Sequence, residues 1–115
     1  MKVSWILSVV LFSLSVAAGA DVSGKWAGEV PRRGEATPTT FVFKVDGNKL
    51  TGTATSSQGQ ESFADGKVSA NDISFTMEAG GAKVVFKGTV SGDEIKMTRQ
   101  REGGEARTFT LKRVP

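Results

Sequence analysis

The residue types most often used for catalysis are missing from this chain. None of its 115 residues is His, Cys or Tyr. The absence of His removes the usual general base near neutral pH and the commonest metal ligand, and the absence of Cys excludes thiol chemistry and disulfides. A catalytic mechanism would therefore depend on carboxylates, Ser, Lys and Arg alone.

The acidic residues that could be paired for catalysis belong to predicted turns. Glycoside hydrolysis needs two acids that face each other across a cleft. Asp93 and Glu94 are neighbours in one predicted turn, and Asp65 and Asp72 fall in other turns or bulges. Solvated turn acids explain all four, so the sequence predicts no catalytic residue and a protein that is not an enzyme.

Two oxygen-rich turns could in principle supply calcium ligands, namely Asp46–Asn48 and Ser91–Glu94. Both are too short, and have too few ligands, for a dedicated calcium loop. We therefore expect no metal site and no cofactor.

A third candidate for binding is the charge of the C-terminal hairpin. It combines six basic residues with four acidic ones, and the basic residues are Lys96, Arg99, Arg101, Arg107, Lys112 and Arg113. Such an edge suits an acidic polysaccharide or a lipid headgroup. Interspersed charge also commonly prevents strands of different molecules from pairing.

Apolar residues alternate with polar ones at period two after residue 20, and Gly-rich turns separate the alternating segments. This pattern is typical of short half-buried strands. A parity change between Phe63 and Val68 predicts a bulge at Asp65–Gly66. We predict eight strands, at residues 24–30, 39–45, 49–56, 62–69, 72–78, 83–90, 94–100 and 106–114.

An internal repeat supports a meander of similar hairpins. The five-residue spacing from Val68 to Ile73 recurs 22 residues later, from Val90 to Ile95. Each hairpin has one apolar face that it cannot bury alone. Eight such strands remove their sheet edges by closing into an antiparallel up-and-down barrel. An open β-sandwich is the alternative that the same pattern allows.

The predicted inward set is rich in Phe, and it allows either a filled core or a modest apolar pocket. Gly24, Gly28, Gly52 and Gly88 leave room for a pocket or serve close packing. For a ligand at the barrel mouth, we predict contacts from Trp26, Phe41, Phe43, Phe75 and Phe86. The full inward set is Trp26, Val30, Phe41, Phe43, Val45, Leu50, Phe63, Val68, Ile73, Phe75, Met77, Val84, Phe86, Val90, Ile95, Met97, Phe109 and Leu111.

The stretch SGKW, Ser23–Trp26, resembles the Gly-x-Trp start of the calycin group of barrels, which includes lipocalins and avidins. The resemblance implies that Trp26 caps one barrel end and packs against a basic residue of the last strand. Arg113 has the parity of Phe109 and Leu111, so a stacked cap pair of Trp26 and Arg113 is predicted. If the strand frays before residue 113, Arg113 is instead solvated.

SGKW together with LTGTAT, Leu50–Thr55, also resembles the first and third strands of avidins. Their biotin pocket is walled by several Trp and a Tyr, and this chain has neither after Trp26, so biotin binding does not follow. The overall pattern is most similar to small exported bacterial proteins with a Gly-x-Trp start, F-x-V-x-G-x-x-L-T-G-T and later G-x-V-x-G-D-x-I hairpins. That pattern consists of turn and core residues and implies a scaffold.

Residues 1–20 have the pattern of a cleaved signal peptide. Met1-Lys2 is followed by an apolar run and by Ala18-Gly19-Ala20, so cleavage after Ala20 is predicted. The apolar run is short for a transmembrane anchor, and no stable membrane insertion is expected after cleavage. Residues 21–115 then form one domain, in the periplasm or outside the cell.

The charge of the mature chain is nearly balanced. Without Lys2 it has 14 basic residues, one fewer than the 15 of the whole chain, and 12 acidic ones, for a net charge of +2. This excess is too small to indicate nucleic-acid binding. We expect a non-enzymatic exported barrel that binds a small apolar or amphipathic ligand at its mouth. The alternative is a protein-interaction module, such as an inhibitor of an extracellular hydrolase.

Overall fold

Eight antiparallel strands form a closed barrel in which each strand pairs with the next and the last pairs with the first. The computed structural model describes residues 21–32, 34–79 and 81–115, so the predicted signal peptide lies outside the described residues. The up-and-down barrel is confirmed, and the open sandwich is not the architecture. The strands are β1 (Gly24–Arg32), β2 (Glu35–Asp46), β3 (Lys49–Ser56), β4 (Gly59–Ser69), β5 (Asp72–Ala79), β6 (Ala82–Ser91), β7 (Glu94–Arg101) and β8 (Ala106–Arg113).

The first two strands are longer than predicted. The prediction ended the first strand before Pro31 and began the second after Pro38, whereas both prolines lie inside strands. Pro31 pairs with Ala36, and Pro38 pairs with Glu29. Proline lacks the backbone N–H of the ladder and is tolerated in a strand where one side is unpaired. Pro31 lies beyond the β1–β8 pairing, and Pro38 lies beyond the β2–β3 pairing, which explains why the strands continue through them.

A bulge is present in β4 as predicted, but it lies at residues 64–65 and not at Asp65–Gly66, because Gly66 pairs with Leu50. The β3–β4 register shifts between the Leu50–Gly66 pair and the Gly52–Phe63 pair, so two residues of β4 lie opposite one of β3. Asp65 has a φ of 62°, in the left-handed region that a short polar side chain tolerates. The bulge returns Val68 to the same inner face as Phe63.

The interior is a packed core. Fifteen of the eighteen residues predicted to face inward are buried, and Val45, Val90 and Phe109 are partly buried against them. Rings of Phe63, Phe75 and Phe86 stack with centroids 4.0 and 4.8 Å apart. Val22, which precedes β1, joins the core and was missed by the prediction.

Glycines on the inner face serve close packing. A Cβ on Gly52 would meet the backbone oxygen of Val42, and one on Gly88 would meet the Met97 sulfur and lie 2.8 Å from Ile95 Cγ2. The space beside these glycines is therefore taken by neighbouring atoms. This favours the filled core over the modest apolar pocket inside the barrel.

Two of the eight strand pairings are short. β4 and β5 share three residue pairs near their turn, and β1 and β8 share three pairs from Trp26 to Gly28. The remaining pairings are longer, with nine pairs for β1–β2 and eight for β6–β7. The barrel therefore consists of two four-stranded halves that are joined at one end and separate toward the other. Within the described ranges, no helix is long and apolar enough to cross a membrane.

Candidate functional site

The plugged end of the barrel, defined by Val22, Trp26, Asp93 and Arg113, is closed by the N-terminal segment. Trp26 and Val22 are fully buried. The indole Nε1 of Trp26 donates a hydrogen bond to the Val22 carbonyl oxygen at 2.9 Å, so the polar atom of the buried ring is satisfied. The two side chains therefore close that end of the core and have no exposed surface.

Arg113 covers the Trp26 ring, as the sequence predicts. Its guanidinium carbon lies 4.4 Å from the ring centroid, within the range of a cation–π contact. Its Nε donates to Asp93 Oδ1 at 3.2 Å and its Nη1 to the Ser23 carbonyl at 3.4 Å. Because the side chain has a ring, a carboxylate and a carbonyl as partners, Arg113 is held as part of the structure.

Asp21 completes the plugged end. Its carboxylate accepts a hydrogen bond from the Ser23 backbone N–H at 3.0 Å. Hydrogen bonds from Ser23, first from its backbone and then from its side chain, lower the pKa of Asp21, and the charge of Arg113 acts in the same direction. The carboxylate is therefore favoured in its charged form.

The opposite end of the barrel, which we call the mouth, holds a charged cavity of about 720 Å³. It lies where the two halves of the barrel separate. Its walls carry four arginines and four glutamates together with Thr37 and Gln58. The charged residues are Arg32, Arg99, Arg101, Arg107, Glu35, Glu61, Glu78 and Glu105.

A second, much smaller space of about 10 Å³ lies beside the mouth. Arg32, Glu61, Glu78 and Arg99 line both spaces, and the small one is also bordered by Met77, Val84 and Phe86. These three apolar residues are buried. The mouth itself is therefore a site with charged walls.

Three of the four arginines come from one hairpin, β7–β8. Arg99 lies directly opposite Arg107 across the two strands, and Arg101 follows two residues later on the same face of β7. Like charges directly opposite each other in a sheet are destabilising. The hairpin therefore concentrates positive charge on the inner face of the mouth.

Arg99 is partly buried. Burial lowers its pKa, and the charges of Arg32, Arg101 and Arg107 lower it further. Among the described residues, the ion pairs involve Arg32, Lys112 and Arg113, and none involves Arg99. Three like charges thus lie near this guanidinium, and no carboxylate of the described residues lies within salt-bridge distance of it, although Glu61 and Glu78 border the same small space.

Part of the Arg32 guanidinium has partners. Its Nη1 donates to Gln58 Oε1 at 2.8 Å, and its Nη2 lies 3.9 Å from Glu61 Oε1. In the part of the chain that the structure describes, the buried Nε atoms of Arg32 and Arg99 have no hydrogen-bond acceptor. A buried donor without an acceptor is costly, so both atoms offer a place for an acceptor from another molecule.

The predicted aromatic ligand contacts lie in different parts of the barrel. Trp26 is at the plugged end, while Phe41, Phe43 and Phe75 are buried in the ring cluster. Phe86 belongs to the same ring cluster and also borders the small space beside Arg99. No contact with a ligand is tested by this geometry, so the five residues stay a prediction, with Phe86 the best placed.

The sequence indicates a basic edge at Arg99, Arg101 and Arg107, but their position on the inner face of the mouth was not predicted although the signal was present. Arg99 and Arg101 share the parity of Ile95 and Met97, and Arg107 shares that of Phe109. The parity rule that drew attention to Arg113 applies equally to these positions. From the sequence they were interpreted instead as part of a mildly basic edge, whose interspersed charge commonly prevents strands of different molecules from pairing.

An outer groove of about 800 Å³ lies over the β3–β4 bulge. Its polar side chains, which include Lys49, Asp65 and Lys67, are exposed. Among the residues with described positions, no three His, Cys, Asp or Glu side chains are grouped closely enough to hold a metal ion.

Comparison with known proteins leaves the fold as the main guide. No family model matches this chain. A search of curated proteins also finds no match. The closed eight-stranded antiparallel barrel is consistent with a calycin-like fold.

Proposed function

We propose that the protein is a non-enzymatic binding barrel that takes a small apolar or amphipathic ligand at its mouth. The observation that carries this proposal is the cavity of about 720 Å³ between the two halves of the barrel. Ligand sites are typically concave and combine an apolar surface with a few converging polar groups. The mouth supplies the converging polar groups, and the buried Met77, Val84 and Phe86 border a small space beside its Arg32 and Arg99.

The other parts of the barrel are poorer candidates. The interior is occupied by stacked phenylalanine rings, and the opposite end is closed by Trp26 and Val22. A ligand that entered either region would have to displace packed side chains. The mouth requires no such displacement.

Ligand screening tests the proposal. A panel of fatty acids, fatty alcohols and aromatic acids is added to the protein, and its melting temperature is measured. A ligand that binds the folded state raises that temperature. Trp26 fluorescence is a poor reporter because Trp26 lies at the far end. Backbone amide chemical shifts of Val84, Phe86 and Arg99 are the better readout. If no compound changes either, the proposal is wrong.

Export and a calycin relationship form part of the same proposal. They rest on the pattern of residues 1–20 and on the Gly-x-Trp start of the first strand. Mass spectrometry of the protein recovered from the periplasm or the medium tests the first point. A chain that begins at Asp21 supports cleavage after Ala20, and an intact leader contradicts it.

A protein-interaction module is the second candidate, and one observation favours it. Residues 29–32 of β1 and 106–110 of β8 are not paired with each other, so their backbone groups offer an edge for a strand from a partner. An extracellular hydrolase that the barrel inhibits is one such partner. Pull-down from the periplasm or the medium tests this candidate, and the lack of a stable protein partner counts against it.

A further inference from the structure

We infer that the opening between β4 and β5 accepts an extended basic segment of another protein, which adds a strand to the barrel wall. This inference goes beyond the proposed function, because it concerns a protein partner and a second space, although Glu61 and Glu78 line that space and the mouth. It rests on three features of the opening. These are two unpaired strand edges, a thin cover over the core and an excess of acidic side chains.

The first feature is the unpaired edges. The pairing of β4 with β5 covers residues 67–69 and 72–74, whereas residues 59–66 of β4 and 75–79 of β5 are not paired with each other. A strand edge without a neighbour presents backbone N–H and C=O groups to which another strand can bond. A strand added in the opening therefore has candidate partners on either side.

The backbone groups of Thr76 and Glu78 point into the opening. The Val90 N–H donates to the Asn71 carbonyl at 2.8 Å, so these two residues form a hydrogen-bonded pair at the start of the β5–β6 ladder. Hydrogen-bonded and non-hydrogen-bonded pairs alternate along an antiparallel ladder. The odd-numbered residues of β5 therefore bond to β6, and the even-numbered Thr76 and Glu78 direct their N–H and C=O groups away from it.

The second feature is the thin cover over the core. Phe63 of β4 and Met77 of β5 line a space of about 580 Å³ at the opening. With 6% and 8% of their surface exposed, they are the most exposed of the sixteen buried core residues among those described. Alternate side chains of an added strand would face them. Apolar side chains at those positions would complete the cover and add affinity through the area they bury.

The third feature is the charge around the opening. Glu61, Asp65 and Glu78 border the space, together with one basic residue, Lys83. The acids still outnumber the bases when Arg32, which lies 3.9 Å from Glu61, is included. A second copy of this chain that paired through the same edges would bring the same acids together, which is unfavourable. A basic segment of a different protein is therefore the better partner.

A titration with hexapeptides, followed by NMR of the backbone amides, tests the inference. One peptide alternates Lys and Val, and a second alternates Glu and Val. A third is the Lys–Val peptide with N-methyl groups on alternate backbone nitrogens, which keeps the charges and side chains but removes hydrogen-bond donors of an added strand. The protein variants are Glu78→Gln and the control Glu29→Gln, since Glu29 is an exposed acid beside the β1–β8 opening. Circular dichroism checks that both variants are folded.

The Lys–Val peptide should bind the wild type at least tenfold more tightly than either of the other peptides. When it is bound, the amides of Thr76 and Glu78 should shift and exchange more slowly with solvent, because they donate to the added strand. Glu78→Gln should weaken its binding about threefold, as expected for one exposed charge, and Glu29→Gln should leave it unchanged.

Equal affinity for the Lys–Val and Glu–Val peptides would overturn the inference, as would equal affinity for the N-methylated peptide. Shifts confined to the amides of Val30 and Thr108 would place the peptide at the β1–β8 opening and overturn it too. The absence of any peptide binding would have the same consequence. The ligand proposed for the mouth is tested by the panel of small compounds, so the inference and the proposed function can fail independently.

Discussion

The two ends of the barrel each hold an arginine that faces inward from the C-terminal hairpin, and the two arginines have opposite surroundings. Arg113 stacks on Trp26 and bonds to Asp93 and Ser23. Arg99 has a buried Nε without a described acceptor and lies beside other arginines. Two arginines of one hairpin therefore differ. Arg113 has partners within the chain, whereas the Nε of Arg99 has none among the described residues.

The difference shows how an inward-facing charge can be interpreted. A charged residue that faces the core needs an explanation, and the groups that it contacts supply one. When the partners belong to the same chain, as for Arg113, the charge contributes to the fold. When they do not, as for Arg99, the charge is a candidate for binding another molecule.

The largest expected effect comes from removing the plug. Trp26→Ala should lower the free energy of unfolding by about 3–5 kcal/mol, because a buried aromatic ring leaves a cavity that the barrel cannot close. Urea denaturation followed by circular dichroism measures it. A loss below about 1 kcal/mol would mean that Trp26 does not close this end of the core.

A smaller loss is expected from Arg113→Ala. The cation–π contact and the bond to Asp93 should together contribute about 1 kcal/mol, since the side chain is one-third exposed and partly screened. Lys112→Ala is the matched control, because the exposed Lys112 pairs with Glu94 at 3.9 Å and with no other described residue. The control should cost less than about 0.5 kcal/mol. Equal losses in the two variants would show that stacking on Trp26 contributes nothing.

Arg99→Met should change the free energy of unfolding in the opposite direction. The variant removes a desolvated charge and its repulsion with Arg107, while the methionine stem keeps the apolar contacts of the arginine. We expect stability to be unchanged or to rise by about 0.5–1 kcal/mol. Urea denaturation of Arg99→Met and Arg113→Met in parallel compares the two arginines directly. A loss above about 1 kcal/mol for Arg99→Met would assign Arg99 to the fold and remove the contrast.

The smallest effect is a pH dependence confined to the plugged end. The pKa of Asp21 is lowered in the folded state by its hydrogen bonds to Ser23. The stability it contributes is therefore present above the unfolded pKa, near 3.9, and is lost as the pH falls through the lower folded value. Unfolding curves of the wild type and Asp21→Asn should converge in acid. A difference that persists unchanged at low pH would contradict the lowered pKa.

Much of the fold could be predicted from the sequence, because alternation at period two specifies which face of each strand is buried. The parity change around Asp65 located the bulge for the same reason. The strand ends predicted at Pro31 and Pro38 were wrong. A strand tolerates proline where one of its two neighbours is not paired with it, and this holds at both positions. That information belongs to the barrel as a whole.

The site was less predictable than the fold. Parity placed Trp26 and Arg113 on one side of the wall, and a family resemblance suggested that they meet. The mouth depends on where two pairings stop, at Gly28 of β1 and Lys67 of β4. Backbone register of this kind is not visible in a single sequence, so the cavity emerged only in three dimensions, whereas the parity of Arg99, Arg101 and Arg107 could have been used.

The most direct test of the contrast between the two ends is the dissociation constant of the tightest-binding acid of the ligand panel for the wild type, Arg99→Gln and Arg113→Gln, measured by calorimetry at one temperature and one salt concentration. Both variants lose one inward-facing positive charge from the same hairpin. We predict that Arg99→Gln weakens binding at least tenfold and that Arg113→Gln, although less stable, binds as the wild type does. Equal weakening in both variants, or weakening in Arg113→Gln alone, would contradict the assignment of binding to the mouth.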